Sequence, residues 1–262
     1  MKRVLTAPPA ARGAMRQRGF TLVEMMVALA IGLVLALGFA VSFVNLKSTF
    51  GTQDKLSQLQ DNERLALAFL TSSVQEAGYF PDTAPPSRQR STALVGSSPA
   101  GYTGMANGQF LLGSVASADG STPASLTTVY NSASGDGLLN CQGGTYTGGG
   151  VATLRNMFYV DAATNALGCK VFSNGVLVTT AGATGFAPLV TNVSSMDVDY
   201  AIDADGDGIA DEYVKADQVG THWNDVKAVR VTLNFINPNA ALGGGQAATI
   251  AWTQTINLMN NR

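Results

Sequence analysis

The stretch DADGDGIADEY, residues 203 to 213, sets Asp203, Asp205 and Asp207 at alternate positions, then Gly208 for a sharp turn and Ile209 to offer a backbone carbonyl. Asp211 or Glu212 can close the shell. Calcium takes roughly six to eight oxygens at about 2.3–2.6 Å, and ligands at positions 1, 3, 5 and 7 of a loop wrap around one point. With no cation, carboxylates this close repel one another. The spacing is therefore expected to hold Ca2+; the other reading is a solvated acidic turn between Tyr200 and Tyr213. A site of this kind stabilises or switches a fold and does no chemistry on a substrate.

Other residue types capable of chemistry lead nowhere catalytic. The single histidine, His222, stands in THWND just before a strand-like stretch and reads as structural. Cys141 and Cys169 form no CxxC pair, which argues against zinc and thioredoxin-like chemistry. In an oxidising compartment they are expected to join in one disulfide; the alternative is two free thiols. No GxSxG, HExxH or phosphate-binding loop is present, and Trp223 and Trp252 read as packing residues. The chain is expected not to be an enzyme. One acid remains unaccounted for: Glu24, the only ionisable side chain between Phe20 and Val44.

The element that positions Glu24 is an apolar run of 25 residues, Phe20 to Val44, against the ~20 a helix needs to cross a bilayer. It has no polar stripe, so it faces lipid or other apolar helices. Lys2, Arg3, Arg12, Arg16 and Arg18 give the first 19 residues a charge of +5, which leaves -7 for the rest of a chain whose net charge is -2. A basic head before an apolar run holds the N-terminus in the cytoplasm and sends the remainder across. The acidic body argues against bulk nucleic-acid binding, and no sequence feature points to it directly. An ordinary signal peptide carries its small residues after a shorter apolar core. Here Gly19 precedes the run, so a cut after it removes the basic leader and keeps the helix. Phe20 then bears a new α-amine and Glu24 lies one turn in, at the helix end where an acid is favoured. The amine of one chain and Glu24 of a neighbour would neutralise two charges that are costly alone in lipid.

GFTLVEMMVALAIG resembles the class III signal of type IV prepilins and pseudopilins. That resemblance implies cleavage between Gly19 and Phe20 by a prepilin peptidase, N-methylation of Phe20, and Glu24 as the assembly residue. It also implies an α+β pilin fold, with a long N-terminal helix and a C-terminal antiparallel β-sheet head. The expected division is a leader at 1–19, a transmembrane and assembly helix at 20–44, its amphipathic continuation at 45–80, and a periplasmic β-rich head at 81–262.

The residues between support this division. Leu56, Leu59, Ala66, Leu67, Leu70 and Val74 follow helical spacing, and no proline intervenes before Pro81. A helix from Phe20 to Ala77 has 58 residues, or roughly 87 Å at 1.5 Å each. Gly78 is its natural stop and Gly51 a candidate bend. LSQLQDNERLALAFLTSSVQEAGYF resembles the PilW group of minor pilins through Gln60, Asp61, Asn62, Arg64, Ala77, Gly78 and Tyr79, and WTQTINLMNNR is similar to the end of that group. Relatives often place a cysteine soon after the AGY; here Phe80-Pro81 follows, so the cysteines need not pair as they do there. Residues 83–150, rich in Ser, Thr, Ala, Gly and Pro, read as long loops or disorder, with CQGGTYTGGG the most flexible-looking part. Strands are expected at Ser125–Tyr130, Asn156–Val160, Lys170–Thr179, Ser195–Ile202, Val226–Ile236 and Ala248–Leu258, the last two as an antiparallel pair across NPNAALGGG. One antiparallel sheet packed on the outer half of the helix is the expected head. The loop 203–213 also resembles the first half of an EF-hand, but its twelfth position is Val214, so any Ca2+ shell must close at Asp211 or Glu212.

The leading expectation is a minor pilin that joins, and helps to initiate, type IV pili at a tip or priming complex. The resemblance links that role to twitching motility, adhesion or DNA uptake. It implies major and minor pilins, the prepilin peptidase, the inner-membrane assembly platform and the membrane itself as partners. The expected location is a single pass through the inner membrane with a periplasmic head, then the pilus at the cell surface. Two alternatives stand beside it: a pseudopilin of a type II secretion system, and an anchored calcium-dependent binding protein that does not polymerise.

Overall fold

The computed structural model describes residues 19–81, 105, 108–119, 121–179, 184–240 and 245–260. Residues 1–18 of the basic leader and the whole stretch 82–104, part of the expected loop region, lie outside the described residues. The chain divides into a compact unit ending at Gln53 and a second one beginning at Asp54.

One α-helix, α1, runs from Leu22 to Glu76. Its secondary structure continues through Gly32, Gly38 and Gly51. Every described residue from Gly19 to Gly51 is exposed, as an all-apolar helix with no covering layer must be. Within the second unit the same helix is amphipathic. Leu59, Ala66, Leu70, Ser73 and Val74 form its buried stripe, the three- and four-residue spacing of a single face. The stop falls where expected. Gly78 takes φ 79°, a conformation only glycine adopts freely, and its N–H donates to Val129 O at 2.8 Å. The last carbonyls of α1 would otherwise lack partners. Asn260 Nδ2 donates to Gln75 O at 3.0 Å and to Ala77 O at 3.3 Å.

Among the described residues the head holds ten strands in two antiparallel sheets where one was expected. In the first, β1 (Leu111–Ser114), β2 (Ser125–Ala133), β3 (Val151–Asp161), β4 (Ala166–Ser173) and β5 (Val176–Leu177) lie in order, and β6 (Ala187–Thr191) also pairs with β4. In the second the order is β10 (Thr249–Asn257), β9 (Val226–Ile236), β7 (Val193–Ile202), β8 (Glu212–Lys215). The β9–β10 pair is antiparallel, with Thr249 opposite Ile236 and Asn257 opposite Ala228. The single strand expected over Lys170–Thr179 is instead a hairpin, because Asn174 and Gly175 both take positive φ, 49° and 82°, and turn the chain. Strands β1, β6 and β8 were not legible: each has at most five residues, too short for alternation to register.

Both sheets and the outer half of α1 share one core. Leu59, Leu70 and Val74 of the helix belong to one buried cluster with Phe110, Leu126, Phe158 and Phe235. A polar thread crosses this core. Ser73 Oγ lies 2.7 Å from Thr128 Oγ1, and Asn156 Nδ2 donates to Ser73 Oγ at 3.1 Å. Asn156 Oδ1 in turn accepts from Cys141 N–H at 3.1 Å. The stretch expected to be most flexible is therefore tied down. Asn140 Oδ1 accepts from the N–H groups of Gln142 and Gly144, and Cys141 is bonded to Cys169 of β4, with Cα atoms 6.4 Å apart. Trp223 packs edge-on against Tyr200 at 4.9 Å, and Trp252 lies half-buried against the core. Gly113 of β1 is a close-packing position: a Cβ there would sit 1.9 Å from Tyr200 Oη.

The disulfide closes a loop with a sequence separation of 28. Reducing it, or replacing both cysteines by serine, is expected to lower head stability by about 3–4 kcal/mol, the loop-closure entropy of that length. Denaturant unfolding of the oxidised and reduced head, compared at equal slope, measures it.

Candidate functional site

Two groups of residues emerge from the fold, one at the start of α1 and one in the turn between β7 and β8.

At the helix start, Gly19 and Phe20 are exposed ahead of the first helical residue. Thr21 and Glu24 bind each other reciprocally. Glu24 N–H donates to Thr21 Oγ1 at 3.3 Å, and Thr21 N–H donates to Glu24 Oε2 at 3.4 Å. This is a capping box, in which two backbone donors that an isolated helix end leaves open find partners. Glu24 therefore has a local role as well as the intermolecular one expected of it: it satisfies the end of its own helix. Thr21 is the residue that sequence reasoning missed. Its signal was present, since a Thr followed three residues later by Glu ahead of an apolar run is the capping-box pattern. The helix that follows is long and apolar enough to cross a membrane, and none of that window is buried.

The second group closes the β7–β8 hairpin. Asp203, Asp205 and Asp211 place one carboxylate oxygen each within 4.8 Å of one another. Asp203 is buried and the other two are exposed. Asp203 Oδ1 accepts from Gly206 N–H at 2.8 Å, and Oδ2 accepts from Gly208 N–H at 2.9 Å. Gly206 and Gly208 reach those positions with φ of 80° and 91°. Asp211 Oδ2 accepts from Ala204 N–H at 2.7 Å. Three of the five expected carboxylate ligands are thus brought together. The carboxylates of Asp207 and Glu212 fall outside the group. Asp207 Oδ1 instead accepts from Ile209 N–H at 2.8 Å, and Glu212 is the first residue of β8, opposite Ile202. The Ile209 side chain is exposed. A cation other than a metal already touches the loop: Lys227 Nζ lies 3.1 Å from Asp203 Oδ2. Carboxylate oxygens are the donor type that a hard divalent ion of the calcium class takes, and here one oxygen of Asp203 is already paired with Lys227.

Beside the loop, β7, β8 and β9 carry an ionic cluster. Asp199 accepts from Arg230 Nε at 3.0 Å and from Nη2 at 2.9 Å. Lys215 Nζ lies 2.7 Å from its other oxygen and also contacts Asp197. Arg230 covers the Tyr213 ring at 4.2 Å. Partial burial pushes the Asp199 carboxyl up, but the hydrogen bonds and charges of Lys215 and Arg230 outweigh it and hold the group below the usual carboxylate range. His222, in the one-turn helix His222–Asp225, sets Nδ1 3.2 Å from Asp225 Oδ2, with both side chains about half exposed.

Comparison with known families fits this geometry. Residues 157–259, from within β3 to the residue pair after β10, match the family model described as Type IV Pilus-assembly protein W. Residues 14–40 match the prokaryotic N-terminal methylation motif. The PilW match falls on the head and does not include residues 56–80, which carry part of the resemblance in sequence. No curated protein and no solved structure matches the chain. The two family matches together support a type IV minor pilin of the PilW family. Such a protein is a structural pilin, and the family implies contact with other pilins, with the prepilin peptidase and with the assembly machinery. The methylation motif and the apolar helix fit a single-pass anchor in the inner membrane and assembly into pili.

The ionic cluster sets a pH dependence. A carboxyl whose native pKa is lowered stabilises the fold fully above the ordinary carboxylate range, and that stability is lost as pH falls through the lower native value. The melting temperature of the head is therefore expected to hold between pH 7 and about 5 and to fall below about 4, near the unfolded carboxylate pKa. Asp199→Asn is expected to lower the plateau and flatten the fall; an unchanged profile would remove the cluster from the account.

Proposed function

We propose that this chain, a type IV pilin of the PilW kind, enters the pilus as a minor subunit and helps to start its assembly, in a tip or priming complex that supports twitching, adhesion or DNA uptake. The observation that carries the proposal is the start of α1. There a glycine and a phenylalanine precede an uncovered apolar helix whose first turn holds a capping-box glutamate. Cleavage between Gly19 and Phe20 would replace an amide by an amine next to Glu24, and N-methylation would leave that amine cationic near neutrality. In lipid the amine of one subunit needs an acid, and Glu24 of a neighbour supplies one at a fixed depth. Register along the growing filament follows from that pair. A pseudopilin of a secretion system shares this start, and the head match to the pilus-assembly family favours the pilus reading.

The β7–β8 turn is proposed to take Ca2+ through Asp203, Asp205 and Asp211, drawing Asp203 from Lys227 and stiffening the hairpin. Its role is to stabilise the head. The non-polymerising, calcium-dependent binding protein remains the reading in which the anchor serves nothing but retention.

Glu24 separates these readings. Glu24→Ala is expected to leave cleavage and membrane insertion intact and to remove the protein from sheared surface filaments. Retention of the variant in filaments would overturn the docking role, and the N-terminus of the sheared wild-type protein, read by mass spectrometry, should be a methylated Phe20. For the turn, Ca2+ at a hundredfold excess over Kd should raise the melting temperature of a soluble head beginning at Asp54 by roughly 5–10 °C. Asp205→Asn and Asp211→Asn should each abolish the shift. A shift of the same size in both variants would place the ion elsewhere.

A further inference from the structure

The second sheet ends on two unlike edges. On one side β8 is four residues long and carries Glu212 and Lys215, beside the ionic cluster of Asp197, Asp199 and Arg230. Short length and charge are the ordinary protections of a strand that must not pair further. On the other side β10 is nine residues long, TIAWTQTIN, with no charge, no proline and no glycine. Between Arg230 and Arg262 the chain has no ionisable residue at all.

The register shows what that edge offers. Asn237 N–H donates to Ala248 O, and Leu258 N–H donates to Lys227 O. These fix the hydrogen-bonded pairs of the β9–β10 ladder at the even-numbered residues of β10. The N–H and C=O groups of Thr249, Ala251, Thr253, Thr255 and Asn257 therefore point away from β9. Among the described residues β10 pairs with β9 alone. The amide of Gln254 folds onto Thr255 O at 3.3 Å, a side chain meeting one of these acceptors. All five outward-bonding residues have exposed side chains. On the other face Ile250 and Trp252 are half-buried at the rim of the core.

We infer that β10 is a docking edge that accepts an extended, uncharged segment from a neighbouring pilin of another kind as a fifth strand of this sheet. The inference rests on the pilin reading above. Along its nine residues β10 itself offers no charge to pair a charged segment, and Arg230, opposite Thr255, is already paired with Asp199, so an uncharged segment docks at the lower cost in lost solvation. A segment that alternates apolar with small polar residues would extend the cover of Ile250 and Trp252 and hydrogen-bond along Thr249 to Asn257. A second copy of this chain does not fit the same assembly. Joining β10 to β10 brings like edge to like edge, which requires a two-fold axis, whereas subunits stacked along a filament are related by a screw.

The test is made in cells on the full chain. A photo-crosslinking residue, Thr255→p-benzoylphenylalanine, is activated, and the joined peptide is sequenced in sheared filaments and membranes. The expected product links Thr255 to an uncharged extended segment of another chain that bears its own Gly-Phe cleavage signal. Ala251→Pro removes an outward N–H and no ladder bond, a substitution that edge strands tolerate. It is expected to cut the crosslink by about tenfold or more while cleavage at Phe20 and the melting temperature of the head stay unchanged. Should proline disturb the head, Ala251→Lys carries the same expectation through charge alone. Crosslinks into a second copy or into this chain itself, or a yield that neither variant changes, would overturn the docking edge while the wild-type protein is still found processed in filaments. An uncleaved wild-type chain absent from filaments would overturn the pilin reading and this inference with it.

Discussion

The buried stripe of α1 is the constraint on which the head depends. Leu59, Ala66, Leu70 and Val74 belong to the same core as the two sheets, and each large side chain contributes roughly 1.5–3 kcal/mol by leaving water. Without that face, Phe110, Phe158 and Phe235 would lack part of their cover. The first half of the same helix shows the opposite solution. Its backbone groups are satisfied internally, as a lipid environment demands, and its side chains stay exposed because lipid is their expected solvent. One secondary-structure element thus answers to two solvents, and its sequence changes character between them.

Polar groups in the core then decide how the sheets meet the helix. Ser73, Thr128 and Asn156 are buried, and each is hydrogen-bonded within the thread that ends on Cys141. A buried polar group left unpaired costs about 1–3 kcal/mol, so this thread favours one placement of the loop around Cys141. The disulfide adds a covalent limit to the same place. Gly113 does comparable work by omission, since the space a Cβ would take is filled by the buried Tyr200 ring and hydroxyl.

Each candidate site sits where an element begins or turns. Thr21 and Glu24 close the first turn of α1, and the acidic residues close the β7–β8 hairpin, held in shape by backbone N–H groups and by Lys227. Both arrangements place carboxylates against N–H donors, which fixes their direction. In the proposed roles, a Glu24 already oriented by Thr21 would lose less freedom on meeting a neighbour's amine, and an Asp203 already oriented by Gly206 and Gly208 would do the same for a cation.

Much of this was legible in the residues. The leader charge, Gly19, Phe20 and the unbroken apolar run are local signals, and so are the helix stop at Gly78 and the alternation of VKAVRVTLNFI. Periodicity reports which face of an element is buried, because 3.6- and 2-residue repeats follow from backbone geometry alone. The division into two sheets, the strands β1, β6 and β8, and the hairpin at Asn174-Gly175 were decided by tertiary structure. Short strands take their state from the neighbour they pair with, and no repeat within four or five residues can announce that neighbour. The bond between Cys141 and Cys169 and the convergence of Asp203, Asp205 and Asp211 without Asp207 are likewise distances between side chains. A sequence holds the residue types; the folded backbone sets the distances.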